Sequence, residues 1–158
     1  MSKRKQCRAK KPERAAQPVQ RDRPVPRHEQ QFALIGDVLL DIEAAFRLLR
    51  SKPRRTVRID VEYWARTYGM DGSPDSPVRL GPLFDHEHSR TADLRRPLIL
   101  ATFVAARGDE AHVIADGSHR LFRAFTDGRD SLPGWILTAA ETEAITVAGP
   151  TLKDCVKP

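Results

Sequence analysis

Three stretches decide how this chain folds: Arg96-Pro97-Leu98-Ile99-Leu100-Ala101-Thr102-Phe103-Val104-Ala105, then Arg107-Gly108-Asp109, then Ala111-His112-Val113-Ile114-Ala115-Asp116-Gly117-Ser118-His119-Arg120-Leu121. The first is a nearly continuous apolar run led by a proline, the pattern of a strand buried on both faces. The second is a turn, and residues 111–115 form a second strand, so the two strands make a hairpin. Residues 119–126 then change to helical spacing, with Leu121, Phe122, Ala124 and Phe125 on or near one face and Gly128 just past the end. After Leu132-Pro133-Gly134, residues 135–138 (Trp-Ile-Leu-Thr) read as a last strand.

Upstream, Val57, Ile59 and Val61 alternate with Arg58 and Asp60, which predicts a short strand. Asp60 is placed to cap a helix carrying Val61, Trp64, Ala65 and Tyr68 on one face, with Gly69 ending it. Residues 70–82 hold Gly72, Pro74, Pro77, Gly81 and Pro82 and read as a loop; residues 83–96 are polar and carry no clear period. Residues 29–53 read as one amphipathic helix. Phe32, Ile35, Leu39, Ile42, Phe46 and Leu49 form a single stripe, and Pro53 closes it. Packing on its own domain is the first reading of that stripe, and a homodimer seam through residues 32–49 is the second. The fold class expected is α+β: one small mixed-sheet domain over residues 55–147 with flanking helices.

Residues 1–30 carry ten Lys or Arg and three acids, a net of +7. The whole chain nets +6, so the other 128 residues net −1. The basicity therefore belongs to a tail. Residues 1–28 have little apolar surface to bury and are expected to be disordered, with non-specific nucleic-acid contact as their candidate role. Residues 148–158 are read as a short C-terminal tail. Cys7 and Cys155 lie in the two terminal segments with no CxxC or metal-ligand spacing, which fits a reducing cytoplasm. No apolar run follows the basic N-terminus, so no secretory signal is read. Acidic and basic residues interrupt the longest apolar stretch, so no membrane span is expected.

The chemistry concentrates at Asp116-Gly117-Ser118-His119-Arg120, where a strand passes into a helix. Gly117 permits positive φ and close approach of a ligand. The free N–H groups of the first helical turn favour an anion. Ser118 adds a hydroxyl, His119 a switchable cation and Arg120 a permanent bidentate one. Asp85-His86-Glu87-His88 has the residue types of a metal site but no third ligand fixed by spacing; a solvated loop, or a loop closing over a ligand, are the other readings. His112 reads as a strand surface residue, and Trp64 and Trp135 as core. Ser118 has no visible triad partners, since adjacency to His119 does not supply triad geometry.

The order from Arg96 to about Thr142 resembles the ParB/sulfiredoxin superfamily: a Pro-led apolar strand, a turn, a strand, a Gly-x-His-Arg turn, a helix, a Gly, then Leu-Pro and a strand. The matching residues are Arg96 to Leu100, Val113 to Leu121, Arg123-Ala124, Gly128 and Leu132-Pro133. The resemblance implies a phosphate- or nucleotide-binding turn at Asp116, Gly117, Ser118, His119 and Arg120, with Arg96 nearby and ATP, ADP or CTP with Mg²⁺ as the candidate ligands. His119 and Arg120 stand where sulfiredoxin-like and free-serine-kinase-like members place a phosphate-contacting pair. Ser118 stands where sulfiredoxins carry their catalytic Cys, so sulfinic-acid reduction is not expected. About twenty residues follow Thr138, so no helix-turn-helix DNA reader of the partitioning proteins is expected either. Three functions stay open on the sequence. One is a nucleotide-binding regulatory or DNA-associated protein. Another is a small phosphotransferase or nucleotide hydrolase, in which Asp116 would act as base or Mg²⁺ partner. The last is a non-catalytic interaction protein.

Overall fold

The computed structural model describes residues 31–78, 80–81, 84–105 and 107–149. The basic segment 1–28, both cysteines and residues 150–158 lie outside the described residues. The fold is α+β, with two sheets and helices on both faces of the larger one.

The four-stranded sheet runs β3 (Val57–Asp60), β6 (Ser131–Ile136), β4 (Leu98–Val104) and β5 (Glu110–Asp116). β3 and β6 are antiparallel, β6 and β4 parallel, and β4 and β5 antiparallel, so the sheet is mixed. β4 is the inner strand that the sequence implied. Leu98 and Leu100 enter one core with Ile59, Ile114 and Leu132 from the sheet. Ile99 and Ala101 enter a second core on the opposite face with Ala115 and Leu137. Both faces of β4 are dry, which is why its sequence is apolar at every position but Thr102 instead of alternating, and the buried Thr102 hydroxyl donates to the Leu137 carbonyl.

The first core is covered by α2 (Val61–Thr67) and α4 (Ser118–Thr126). Asp60 caps α2 by accepting from the Tyr63 amide at 2.8 Å. Tyr68 is buried just beyond α2, and its hydroxyl accepts the Ile114 amide of β5 at 2.9 Å. Burial raises the Tyr68 pKa, because a phenolate would lose water there. A short helix, α3 (His86–Thr91), fills the stretch that carried no period; Asp85 caps it by accepting from the His88 amide at 2.8 Å. β6 begins at Ser131, four residues earlier than the strand expected at Trp135. Pro133 is tolerated in it because the ladder to β4 starts only at Gly134. Nor is β6 the last strand: α5 (Ala139–Ala144) and β7 (Thr146–Ala148) follow. Ala148, assigned to the C-terminal tail from sequence, is thus part of the fold.

The largest departure lies at residues 29–53. Instead of one helix, the chain forms β1 (Phe32–Ile35), a Gly36-Asp37 turn, β2 (Val38–Asp41) and then α1 (Ile42–Ser51). Ile35 pairs with Val38, so the loop has two residues, and Gly36 supplies φ +57° at its first position. This is the glycine position of a II′ hairpin turn, whose twist suits antiparallel strands. Asp41 then caps α1 by accepting from the Ala44 amide at 2.9 Å. β2 also pairs with β7, making the three-stranded sheet β1-β2-β7. Leu40, Ile42, Ala45 and Leu49 bury in the second core, so this segment packs on its own sheet. No helix among the described residues is long and apolar enough to cross a membrane.

Arg54 fastens the link between α1 and β3. Its two terminal nitrogens bond both oxygens of Glu141, at 2.8 and 2.5 Å. Glu141 also completes a capping box with Thr138 at the start of α5. The bond from Arg54 is the main reason the Glu141 carboxyl is held down at about 2, from an ordinary 4.5. A depressed carboxyl stabilises the fold fully above its unfolded value, and that stability is lost as pH falls toward the folded one. Glu141→Gln is therefore expected to cost about 1–2 kcal/mol at pH 6, after allowance for solvent screening. The gap to wild type should close between pH 4.5 and about 2. Urea titrations of both proteins at pH 6 and pH 2.5 check this; an equal gap at the two pH values would refute it.

Candidate functional site

β5 runs directly into α4 through Gly117. Its ladder to β4 pairs Ile99 with Asp116 and Leu100 with Ile114, leaving Ala115 as a bulge just before the turn. Gly117 has φ +109°, a conformation that side chains rarely adopt. It also has no room for one. A Cβ there would overlap Leu98 Cδ2 and lie 2.6 Å from Arg120 Nη2. No side chain caps the first turn of α4, so its leading N–H groups meet no side-chain acceptor.

Arg120 folds back beneath the turn. It is 7% exposed, and its Nη2 donates to Asp116 Oδ2 at 2.8 Å. Its Nε is buried without a hydrogen-bond partner. Asp116 thus occupies one arm of the guanidinium and leaves donor capacity unused. Ser118 is the first residue of α4 and is partly buried. Arg96 lies two residues ahead of β4, at the same end of the sheet as Gly117, and is partly buried. Among the described residues its side chain forms no ion pair. The five residues 116–120 therefore gather at one turn, with Arg96 on the adjoining strand end.

His119 meets groups that the sequence did not bring to it. Phe84 stacks on its ring, with centroids 4.5 Å apart and 15° between planes. His88 of α3 meets the same ring edge-on at 5.0 Å. His86 packs on Phe84 and Phe122, each at 5.0 Å. Arg123 of α4 donates to the Ala92 carbonyl at the end of α3 at 2.8 Å. His119 Nε2 is buried without a partner. Burial first, and then His88, lower the His119 pKa against the opposing pull of Asp85 and Asp116. Both influences favour the neutral ring. The readable signal for α3 was Asp85 as a cap; nothing local announced that α3 would cover His119.

Among the described residues, no three His, Cys, Asp or Glu side chains converge where a metal ion could sit. The 85–88 cluster is the first turn of α3 and its cap, neither a strand nor a loop. His112 is exposed on β5, with Nδ1 3.0 Å from the Thr102 hydroxyl. The Thr102 hydroxyl donates to the Leu137 carbonyl, so His112 donates in turn to Thr102. Trp64 is buried in the first core. Trp135 packs at the edge of the second.

The chain matches no family model, no curated protein and no solved structure.

Proposed function

We propose that this protein binds a nucleotide or other phosphate in the cytoplasm, with the anion seated against Gly117, Ser118, His119 and Arg120. The observation that carries the reading is Arg120: a guanidinium more than nine-tenths buried, pressed against a turn too tight for any side chain, with Nε lacking an acceptor. A buried donor left without a partner is costly unless something supplies one. The uncapped N-terminus of α4 adds outward N–H groups and a favourable dipole at the same place. The likeness of this turn to ParB/sulfiredoxin proteins points the same way, toward ATP, ADP or CTP with Mg²⁺ as ligands.

Ser118→Asp tests this reading without disturbing the fold. A carboxylate in the first turn of a helix favours the helix by about 0.3–1 kcal/mol. The same carboxylate repels an incoming phosphate. The expected result is a ligand-free melting point at or above that of wild type, combined with loss of ligand response. A nucleotide at about a hundredfold over its Kd should stabilise wild type by about 2.7 kcal/mol, which is several degrees. Thermal shifts with ATP, ADP, CTP and GTP plus Mg²⁺ on both proteins supply the comparison. No shift in wild type, or an equal shift in Ser118→Asp, would remove this turn as the site. Arg120→Ala is a poorer probe, because it strands Asp116 and empties part of the core.

A further inference from the structure

We propose that this turn binds its anion together with a proton, taken up by His119 as its ring leaves the stack with Phe84. The inference rests on the anion-site reading above and adds to it a regulation by pH. The ring belongs to the first turn of α4, the same turn whose N–H groups are uncapped. The ring is turned into the α3 contact, where Phe84 covers one face and His88 meets an edge. Its Nε2 has no acceptor there. An imidazolium in that position would hold a buried N–H with nothing to receive it.

The charges around the ring come from each element packed on it. Asp85 and His88 face it from α3 and its cap, and Asp116 and Arg120 from the turn and α4. His86 lies one ring further away, against Phe84 and Phe122. The two carboxylates favour the cation, and the face of Phe84 does so weakly. Burial, His88 and Arg120 oppose it, and burial is the largest influence. A dianion at the α4 terminus reverses that balance, because it places negative charge and acceptor oxygens within one helical turn of the ring. The proton comes from solvent, adds to the imidazole, and breaks no bond. Whatever the anion adds to the proton affinity of His119, the proton adds to the anion affinity. Binding should therefore tighten as pH falls, by at most about tenfold per unit for one proton.

Sulfate is the probe, since it keeps two charges where phosphate would itself titrate. The His ring signals of the full-length protein are followed by NMR from pH 5 to 8, with and without sulfate at constant ionic strength. His119→Gln identifies the His119 signal. The expected result is an upward move of the His119 midpoint by one pH unit or more in saturating sulfate, a tenfold coupling. Phe84→Leu should raise that midpoint without any sulfate, because it opens the buried face. If amides of residues 117–121 respond to sulfate while the His119 midpoint stays fixed, the anion site stands and proton uptake is overturned. If no amide there responds at any pH, the anion-site reading itself fails, and the proton linkage with it. An unmoved midpoint in Phe84→Leu would overturn the role of the stack.

Discussion

Gly117→Ala should destabilise the protein by about 2–6 kcal/mol and abolish any anion binding at the turn. Two independent costs add at this residue. A side chain forced to hold φ +109° carries backbone strain of about 1–3 kcal/mol. Its Cβ would also overlap Leu98 Cδ2 and press on Arg120 Nη2 at 2.6 Å. Leu98 is fully buried and Arg120 nearly so, so neither can swing aside into water. Overpacking of that kind costs about 1–3 kcal/mol more. Gly108→Ala is the matched control. It too has positive φ, +87°, but nothing lies within 4 Å of its Cβ position. It should cost strain alone, about 1 kcal/mol. Urea unfolding of the two variants separates the contributions. Equal losses would mean that the close approach of Leu98 and Arg120 to Gly117 does not exist in solution.

Leu40→Ala is expected to cost about 3 kcal/mol, and Phe32→Ala less than about 1 kcal/mol. The contrast distinguishes two folds of the same segment. On a single helix over residues 29–53, Phe32 would lie on the buried stripe and Leu40 off it. In the hairpin, Leu40 is fully buried in the second core and Phe32 is 45% exposed on β1. Truncating a fully buried leucine costs about 2–5 kcal/mol, whereas a half-exposed edge position has little to lose. A larger loss from Phe32→Ala than from Leu40→Ala would restore the helix and overturn the β1-β2-β7 sheet.

Much of this protein was legible in its sequence, and the parts that were share one property. Their cause lies within a few residues. The alternation and capping Asp of residues 57–68, the Gly108 turn and the apolar run of β4 were all read from neighbours. So was the β5–α4 turn, because Asp116 to Arg120 are contiguous and their chemistry needs no distant partner to be recognised. The stripe at residues 32–49 was misread for the converse reason. A spacing of 3 and 4 describes a helix, but in the hairpin Phe32 and Leu39 share one face and the residues turned to the core are Ala33, Ile35, Val38 and Leu40, a period-2 set that the stripe hid. The Gly36-Asp37 turn that decides the matter is a weak signal beside six apolar positions.

The tertiary structure chose between these readings. β2 finds its second partner in β7, about a hundred residues later, and Leu40 finds its core against Ile99, Ala101 and Leu137. Both are long-range, and no local pattern encodes them. The same holds at the site. The residues of the β5–α4 turn proposed as an anion site could be named from the sequence. That Arg120 is buried under Gly117 beside Leu98 depends on α4 packing on β4, and that Phe84 and His88 close on His119 depends on α3 and the residues just before it packing on α4. Short-range sterics and capping set the elements and the donor set; long-range burial set which of those donors were left without partners.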